Sequence, residues 1–230
     1  MRVLSVVHEP GSTGGGGLFE DLVEERGDRL ERVMIAEDAS ALDAPTRYDA
    51  IMVFGGAMHP DQDAEHPWLG DESSFLREAV DREVPLFGVC LGAQLIARSV
   101  GAHIGPARAA EVGWHEVHVN DAGRADPVVG VLPERLDAFQ WHYYGFELPT
   151  GAELLAENEA ALQAFRLGER TWGVQFHPEV TLHMLDHWFT EGEAELSDAA
   201  AVRKQTNERL PTWNDHGRRL CGAFLDAAAG

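Results

Sequence analysis

Two cysteines, Cys90 and Cys221, are the only thiols in a chain of 230 residues, and their settings differ. Cys90 stands in Phe87-Gly88-Val89-Cys90-Leu91-Gly92-Ala93-Gln94, where an apolar strand-like run gives way to a helix-like one. A strand that turns straight into a helix holds its corner residue in a strained conformation and aims the side chain outwards. Glycines two residues to either side remove side chains that would strike strand or helix. A sulfur at that corner sits at a helix N-terminus, whose partial positive charge favours the thiolate. The backbone N–H of Leu91 then faces any oxyanion formed on the sulfur's substrate. This is the chemistry of acyl transfer, and the flanking glycines weigh against a cysteine that merely packs as a small hydrophobe. Cys221, among Leu220, Phe224 and Leu225, reads as a buried thiol.

A nucleophilic cysteine needs a base, and the base needs an orienter. Gly173-Val174-Gln175-Phe176-His177-Pro178-Glu179 supplies both. His177 ends an apolar run, Pro178 stiffens the connection, and Glu179 can fold back to hold one ring nitrogen. A third segment, Val53-Phe54-Gly55-Gly56-Ala57-Met58, leaves backbone N–H groups exposed after a strand. Gly56 is thereby a partner for Leu91 in an oxyanion hole. Gly-Gly after a strand is usually only a turn, so this segment gains its meaning from the other two.

These residues must be brought together by the elements that carry them. Apolar, strand-like runs occupy 3–7, 32–36, 50–54 and 85–89. Helical spacing occupies 18–26, 73–83 (Phe75, Leu76, Ala79 and Val80 inward) and 92–100. Continuously apolar strands alternating with helices predict a parallel sheet covered on both faces. In such a fold, sites lie outside the carboxyl ends of the strands, where Cys90, His177 and the Gly55-Gly56 turn all fall. The second half changes character: short strands at 114–119, 138–142, 162–167 and 171–176, with a hairpin turn at 167–171, predict a mixed or antiparallel section. Residues 121–126 and 191–198 read as polar loops. Leu182, Leu185, Trp188 and Phe189 are spaced for one helix face, and a last helix is expected to start at Pro211 and run to about 228. The expected fold is α/β and three-layer: a doubly wound, largely parallel central sheet with a smaller mixed or antiparallel section. The expected organisation is a single domain over 1–230, its core at about 1–190 and a helical extension at about 191–230.

The segments at Gly88 to Gln94, Phe176 to Glu179 and Phe54 to Gly56, in this order and spacing, resemble the three signatures of the class I (triad-type) glutamine amidotransferase family. The resemblance covers about residues 1–190 and is similar in kind to the stand-alone branch, which includes GMP synthase glutaminase domains and γ-glutamyl peptide hydrolases. It implies hydrolysis of the glutamine side-chain amide through a γ-glutamyl thioester. Cys90 would be the nucleophile, His177 the acid and base, and Glu179 its orienter. The resemblance further implies oxyanion donors at Gly56 and Leu91, and substrate contacts at Gly55, Gln94, His142 and Tyr143. The Tyr143-Tyr144-Gly145 run after His142 departs from the family's usual pattern. No cofactor and no metal is implied.

Composition sets the remaining bounds. Hydrophobic residues make up 44% of the chain and charged ones 25%, enough for a sizeable core without staples. The 18 basic residues against 39 acidic ones leave a net charge of −21, a field that repels nucleic acid and anionic lipid. With no apolar run of membrane-spanning length and no signal peptide, a reduced, cytoplasmic protein is expected. The glycine-rich loop at 11–17 fits neither a dinucleotide nor a phosphate-loop register, and reads as a flexible loop beside the site. His115/His118 and His183/His187 have ligand-like spacing, which 11 histidines generate by chance. Three functions follow. One is a glutaminase that hands ammonia to a separate synthetase subunit, since no ATP motif or acceptor site accompanies it. Another is a free-standing hydrolase of γ-glutamyl amides or peptides; the third is a non-catalytic binding module. The expected partners are L-glutamine or a γ-glutamyl small molecule, such a synthetase, and a second copy in a homodimer.

Overall fold

The computed structural model describes residues 1–9 and 14–230; residues 11–13 of the glycine-rich loop, with Pro10 before them, lie outside the described residues. One nine-stranded sheet organises the rest. Its parallel half consists of β1 (Arg2–Val7), β2 (Arg29–Met34), β3 (Ala50–Val53), β4 (Leu86–Val89) and the later β9 (Thr171–Val174), in the order β2-β1-β3-β4-β9. From β9 the sheet continues antiparallel through β8 (Leu162–Leu167), β7 (Ala152–Glu157), β5 (Ile104–Val119) and β6 (Arg135–Phe146). This is the α/β architecture expected, with the antiparallel strands added along one edge.

Alternation along the parallel strands feeds two cores. Val3, Val7, Ala50, Met52, Phe87 and Val89 face one side. Leu4, Val6, Ile51, Val53 and Leu86 face the other. On the first side pack α1 (Leu18–Glu25) and α6 (Ala199–Ala229), through Leu18, Phe19, Leu220 and Phe224. On the second pack α2 (Trp68–Asp81) and α3 (Leu91–Ser99), through Leu69, Leu76, Leu95 and Ile96. A short α4 (Asp121–Ala125) and α5 (Leu182–Glu191) complete the α-helices of the described residues.

Several boundaries depart from the sequence reading. β2 begins at Arg29 rather than 32, because it is an edge strand with only Val33 buried, so its apolar signal is concentrated near its end. Residues 121–126 hold α4 rather than a loop, capped by Asn120, whose side chain accepts from the Gly123 N–H. The last helix starts at Ala199, not Pro211. Asp198 caps it by accepting from Ala201 N, and the buried row Val202, Thr206, Leu210, Trp213 and Gly217 continues through the proline. Pro211 itself is exposed, where its missing donor is tolerated. Leu182, expected inward, is 47% exposed, while Leu185 and Phe189 are buried.

Candidate active site

Cys90 is the corner between β4 and α3. Its φ of +50° and ψ of −108° put a side-chain-bearing residue in the region that normally takes glycine. The flanking glycines are required by sterics. A Cβ at Gly88 would stand 2.6 Å from Ile96 Cδ1 and 2.7 Å from the Ala93 nitrogen of α3, and one at Gly92 would collide with the Val53 carbonyl of β3. Leu91 is the first residue of α3, so its N–H has no acceptor within the helix.

β9 runs beside β4, and the Cys90 N–H donates to the Val174 carbonyl at 2.8 Å. The chain beyond β9 therefore delivers His177 to the same sheet edge. His177 Nδ1 donates to Glu179 Oε1 at 2.8 Å, with both side chains buried. Among the described residues, none hydrogen-bonds to the buried His177 Nε2 or Glu179 Oε2. Burial alone opposes a charged imidazole. The Glu179 carboxylate and the Cys90 sulfur outweigh it and push the His177 pKa up to about 10. Gly55 lies between the two side chains: a Cβ there would be 3.0 Å from His177 Cε1 and 3.7 Å from Cys90 Cβ. The three sequence segments thus lie together at one edge of the sheet.

Two cavities flank Cys90. One of about 540 Å³ is bounded by Cys90, Gly55, Gly56, His177, Trp141 and Trp188, with the carboxylates Glu9, Glu191 and Glu195 among its other walls. The second, about 150 Å³, shares Cys90 and Gly56 and reaches Leu91, Gln94 and Tyr143. Gln94 Nε2 donates to the Tyr144 carbonyl at 2.9 Å and to Gln175 Oε1 at 3.1 Å, so both its N–H bonds are committed within the protein. His142 backs the smaller cavity with its ring nitrogens engaged by Glu111 Oε2 at 3.0 Å and the Tyr144 carbonyl at 3.1 Å. Tyr143 is 38% exposed and donates its hydroxyl to Glu195.

Three contributors escape the sequence reading. Gln175 Nε2 donates to Cys90 Sγ at 3.5 Å, making a relay from Gln94 through Gln175 to the sulfur. Trp188, spaced with Leu185 and Phe189 on one helix face, packs against the core and also walls the larger cavity, edge-on to the His177 ring with centroids 5.0 Å apart. Trp213 Nε1 donates to the His177 carbonyl at 2.8 Å. Among the described residues, no group of three or more His, Cys, Asp or Glu side chains is arranged to hold a metal, and no helix is long and apolar enough to cross a membrane.

A cysteine on a strained strand-to-helix corner, beside an imidazole held by a buried carboxylate, can form a thiolate–imidazolium pair and carry out acyl transfer. The family model of class-I glutamine amidotransferases matches residues 19–194, and the chain belongs to that family. The glutamine amidotransferase-like protein YfeJ of Salmonella typhimurium is 28% identical over 219 residues, 93% of this chain and 91% of its own. A glutamine-hydrolysing GMP synthase subunit from Thermococcus kodakarensis is 35% identical over 114 residues, 48% of this chain and 59% of its own. A γ-glutamyl-L-1-hydroxyisopropylamide hydrolase of Pseudomonas sp. is 30% identical over 143 residues, 58% of this chain and 48% of its own. In fold, a crystal structure of a glutamine amidotransferase from Thermotoga maritima superimposes with a TM-score of 0.88 over 98% of both chains, at 24% identity.

Proposed function

We propose that the protein hydrolyses the side-chain amide of L-glutamine through a γ-glutamyl thioester on Cys90, with His177 and Glu179 completing a triad. The observation that carries this reading is the meeting, across Gly55, of the strained Cys90 corner and the imidazole held by Glu179. The Cys90 thiolate attacks the amide carbon, and the carbonyl electrons move to an oxyanion that accepts from Gly56 N–H and Leu91 N–H. The His177 imidazolium protonates the departing nitrogen, the C–N bond breaks and ammonia leaves. His177 then takes a proton from water as the water oxygen attacks the thioester. The C–S bond breaks, returning the thiolate and releasing glutamate. Gly55, Gln94, His142 and Tyr143 shape the glutamine side of the site, Gln94 and His142 by bracing it. Residues 1–230 act as one catalytic unit in the cytoplasm and pass ammonia to a separate synthetase subunit. The similarity to the Thermococcus GMP synthase chain supports that partnership.

A second reading is a free-standing hydrolase of γ-glutamyl amides or peptides. The cavity of about 540 Å³ beside Cys90 favours it, since ammonia needs no such room, and so does the similarity to the Pseudomonas hydrolase. Incubating the purified protein with L-glutamine and with γ-glutamyl amides, and measuring glutamate, tests both. Near-idle turnover of glutamine that a synthetase partner stimulates supports the first reading, and rapid unaided turnover of γ-glutamyl amides the second. No glutamate from any of them overturns both.

A further inference from the structure

Behind the Gly55-Gly56 turn lies another buried histidine–carboxylate pair, which the proposed reaction does not use. His8 follows β1 and Glu72 lies on α2, and neither side chain is exposed. His8 Nε2 is 3.1 Å from both carboxylate oxygens of Glu72, while Nδ1 is 3.1 Å from the Gly55 carbonyl oxygen. The ring stacks on Trp68, centroids 5.5 Å apart. The Gly55 carbonyl only accepts, so Nδ1 carries a proton and donates to it, and a ring protonated on both nitrogens also serves Glu72. Burial opposes that cation, but Glu72, the Gly55 carbonyl and Glu9 together outweigh it and the His8 pKa is raised.

In a planar trans peptide, the carbonyl of one residue and the N–H of the next point in opposite directions, and the described chain contains no cis peptide. Holding the Gly55 carbonyl therefore sets the direction of the Gly56 N–H. Gly55 and Gly56 line the cavity at Cys90 and His8 does not, so the side away from His8 is the side turned to the cavity. Two successive glycines have the backbone freedom to rotate the peptide between them. Rotated, it would offer a carbonyl oxygen where an oxyanion must be received.

We infer that His8, seated by Glu72, is a positioning residue: it locks the Gly55-Gly56 peptide so that the Gly56 N–H stays aimed at the oxyanion. The inference rests on the proposed acyl transfer at Cys90. It is tested by two isosteric replacements in the full chain. His8→Asn places an amide N–H near the Nδ1 position and keeps a donor for Gly55, but abandons Glu72. His8→Gln reaches the Nε2 position and satisfies Glu72, but leaves the Gly55 carbonyl unheld. With L-glutamine or γ-glutamyl-p-nitroanilide, whichever wild type turns over, His8→Gln should lose ~10²-fold in kcat with KM nearly unchanged, the low end for loss of an oxyanion donor. His8→Asn should recover most of that loss. A purely structural role gives the reverse order, because Gln is the replacement that satisfies the buried carboxylate. If His8→Asn fails to fold, His8→Asn combined with Glu72→Gln removes the unpaired charge and takes its place in the comparison. Alkylation of Cys90 by iodoacetamide needs the thiolate but no oxyanion, and should keep its wild-type rate in both variants. Wild-type kcat in His8→Gln, equal losses in the two variants, or alkylation falling in step with kcat would each overturn the inference. If wild type releases no glutamate at all, the parent reading falls and takes this one with it.

Discussion

Cys90 and Cys221 share a side-chain chemistry but not a setting. The Cys221 thiol, on α6, donates only to the Phe19 carbonyl at 3.8 Å, and burial pushes its pKa up, keeping it protonated. Cys90→Ala should therefore abolish hydrolysis and Cys221→Ser leave it largely intact. A diazo-ketone glutamine analogue followed by peptide mass mapping should mark Cys90 alone, and label on Cys221 would contradict the assignment. His177 carries a sharper test. In the proposed mechanism its imidazolium delivers the proton to the leaving nitrogen, and its pKa is raised from 6.5 to about 10. Activity should persist through mildly alkaline pH and fall as pH passes about 10. The sign for stability is the same: the charged pair contributes fully below the unfolded value of 6.5, and that contribution is lost towards about 10. Glu179→Gln keeps a hydrogen-bond acceptor but removes the charge. It should cut kcat by ~10²–10⁴ and bring the alkaline limb down by about 1–3 pH units. A pH–rate profile whose alkaline limb does not move in that variant would dissociate Glu179 from the proton transfer. His177→Ala should cost at least as much, and the double variant scarcely more, since the groups act as one unit.

At the scale of elements, the His177 turn is held from behind by α6. Besides the Trp213 bond to the His177 carbonyl, Asn214 Nδ2 donates to the Val180 carbonyl at 2.7 Å, and Gly217 passes so close to the Pro178 carbonyl that a Cβ would collide with it. Trp213→Phe leaves the His177 carbonyl buried and unpaired, at ~1–3 kcal/mol. A lower Tm with kcat reduced more than KM is raised should follow, and an unchanged kcat would show that the turn keeps its place without the helix. This clamp was poorly legible in the sequence, because proline favours a helix start while the buried row from Val202 onwards mixes Thr, Trp and Gly with its aliphatic side chains. β7 was unmarked for a similar reason: Ala152–Glu157 reads AELLAE, a composition that favours helix, and pairing with β5 and β8 decides its state. The parallel strands were legible because burial on both faces leaves continuous apolar runs. Cys90, His177 and Gly55 were legible because a strained corner, a strand-end histidine and a close approach each demand particular residue types. Gln175, Trp188 and Trp213 act through side-chain contacts across the fold, which no local spacing records.

Across the whole molecule, the net charge of −21 sets acidic side chains against one another around a sheet whose ion pairs mostly lie at the surface, such as Arg77–Asp81 and Arg135–Glu116. Exposed pairs contribute little, whereas general repulsion at low ionic strength destabilises the compact state. Raising sodium chloride from about 10 mM to 0.5 M shortens the Debye length from ~30 Å to about 4 Å, and Tm should rise across that range. A falling Tm would mean that attractive pairs outweigh the repulsion. The order of the chain has its own consequence. Trp213 reaches back 36 positions to the His177 carbonyl, and Cys90, His177 and Glu179 all precede it. On the ribosome these three side chains therefore emerge before the helix that clamps their turn. The turn that presents His177 therefore gains its clamp only after α6 has followed it out of the ribosome and docked.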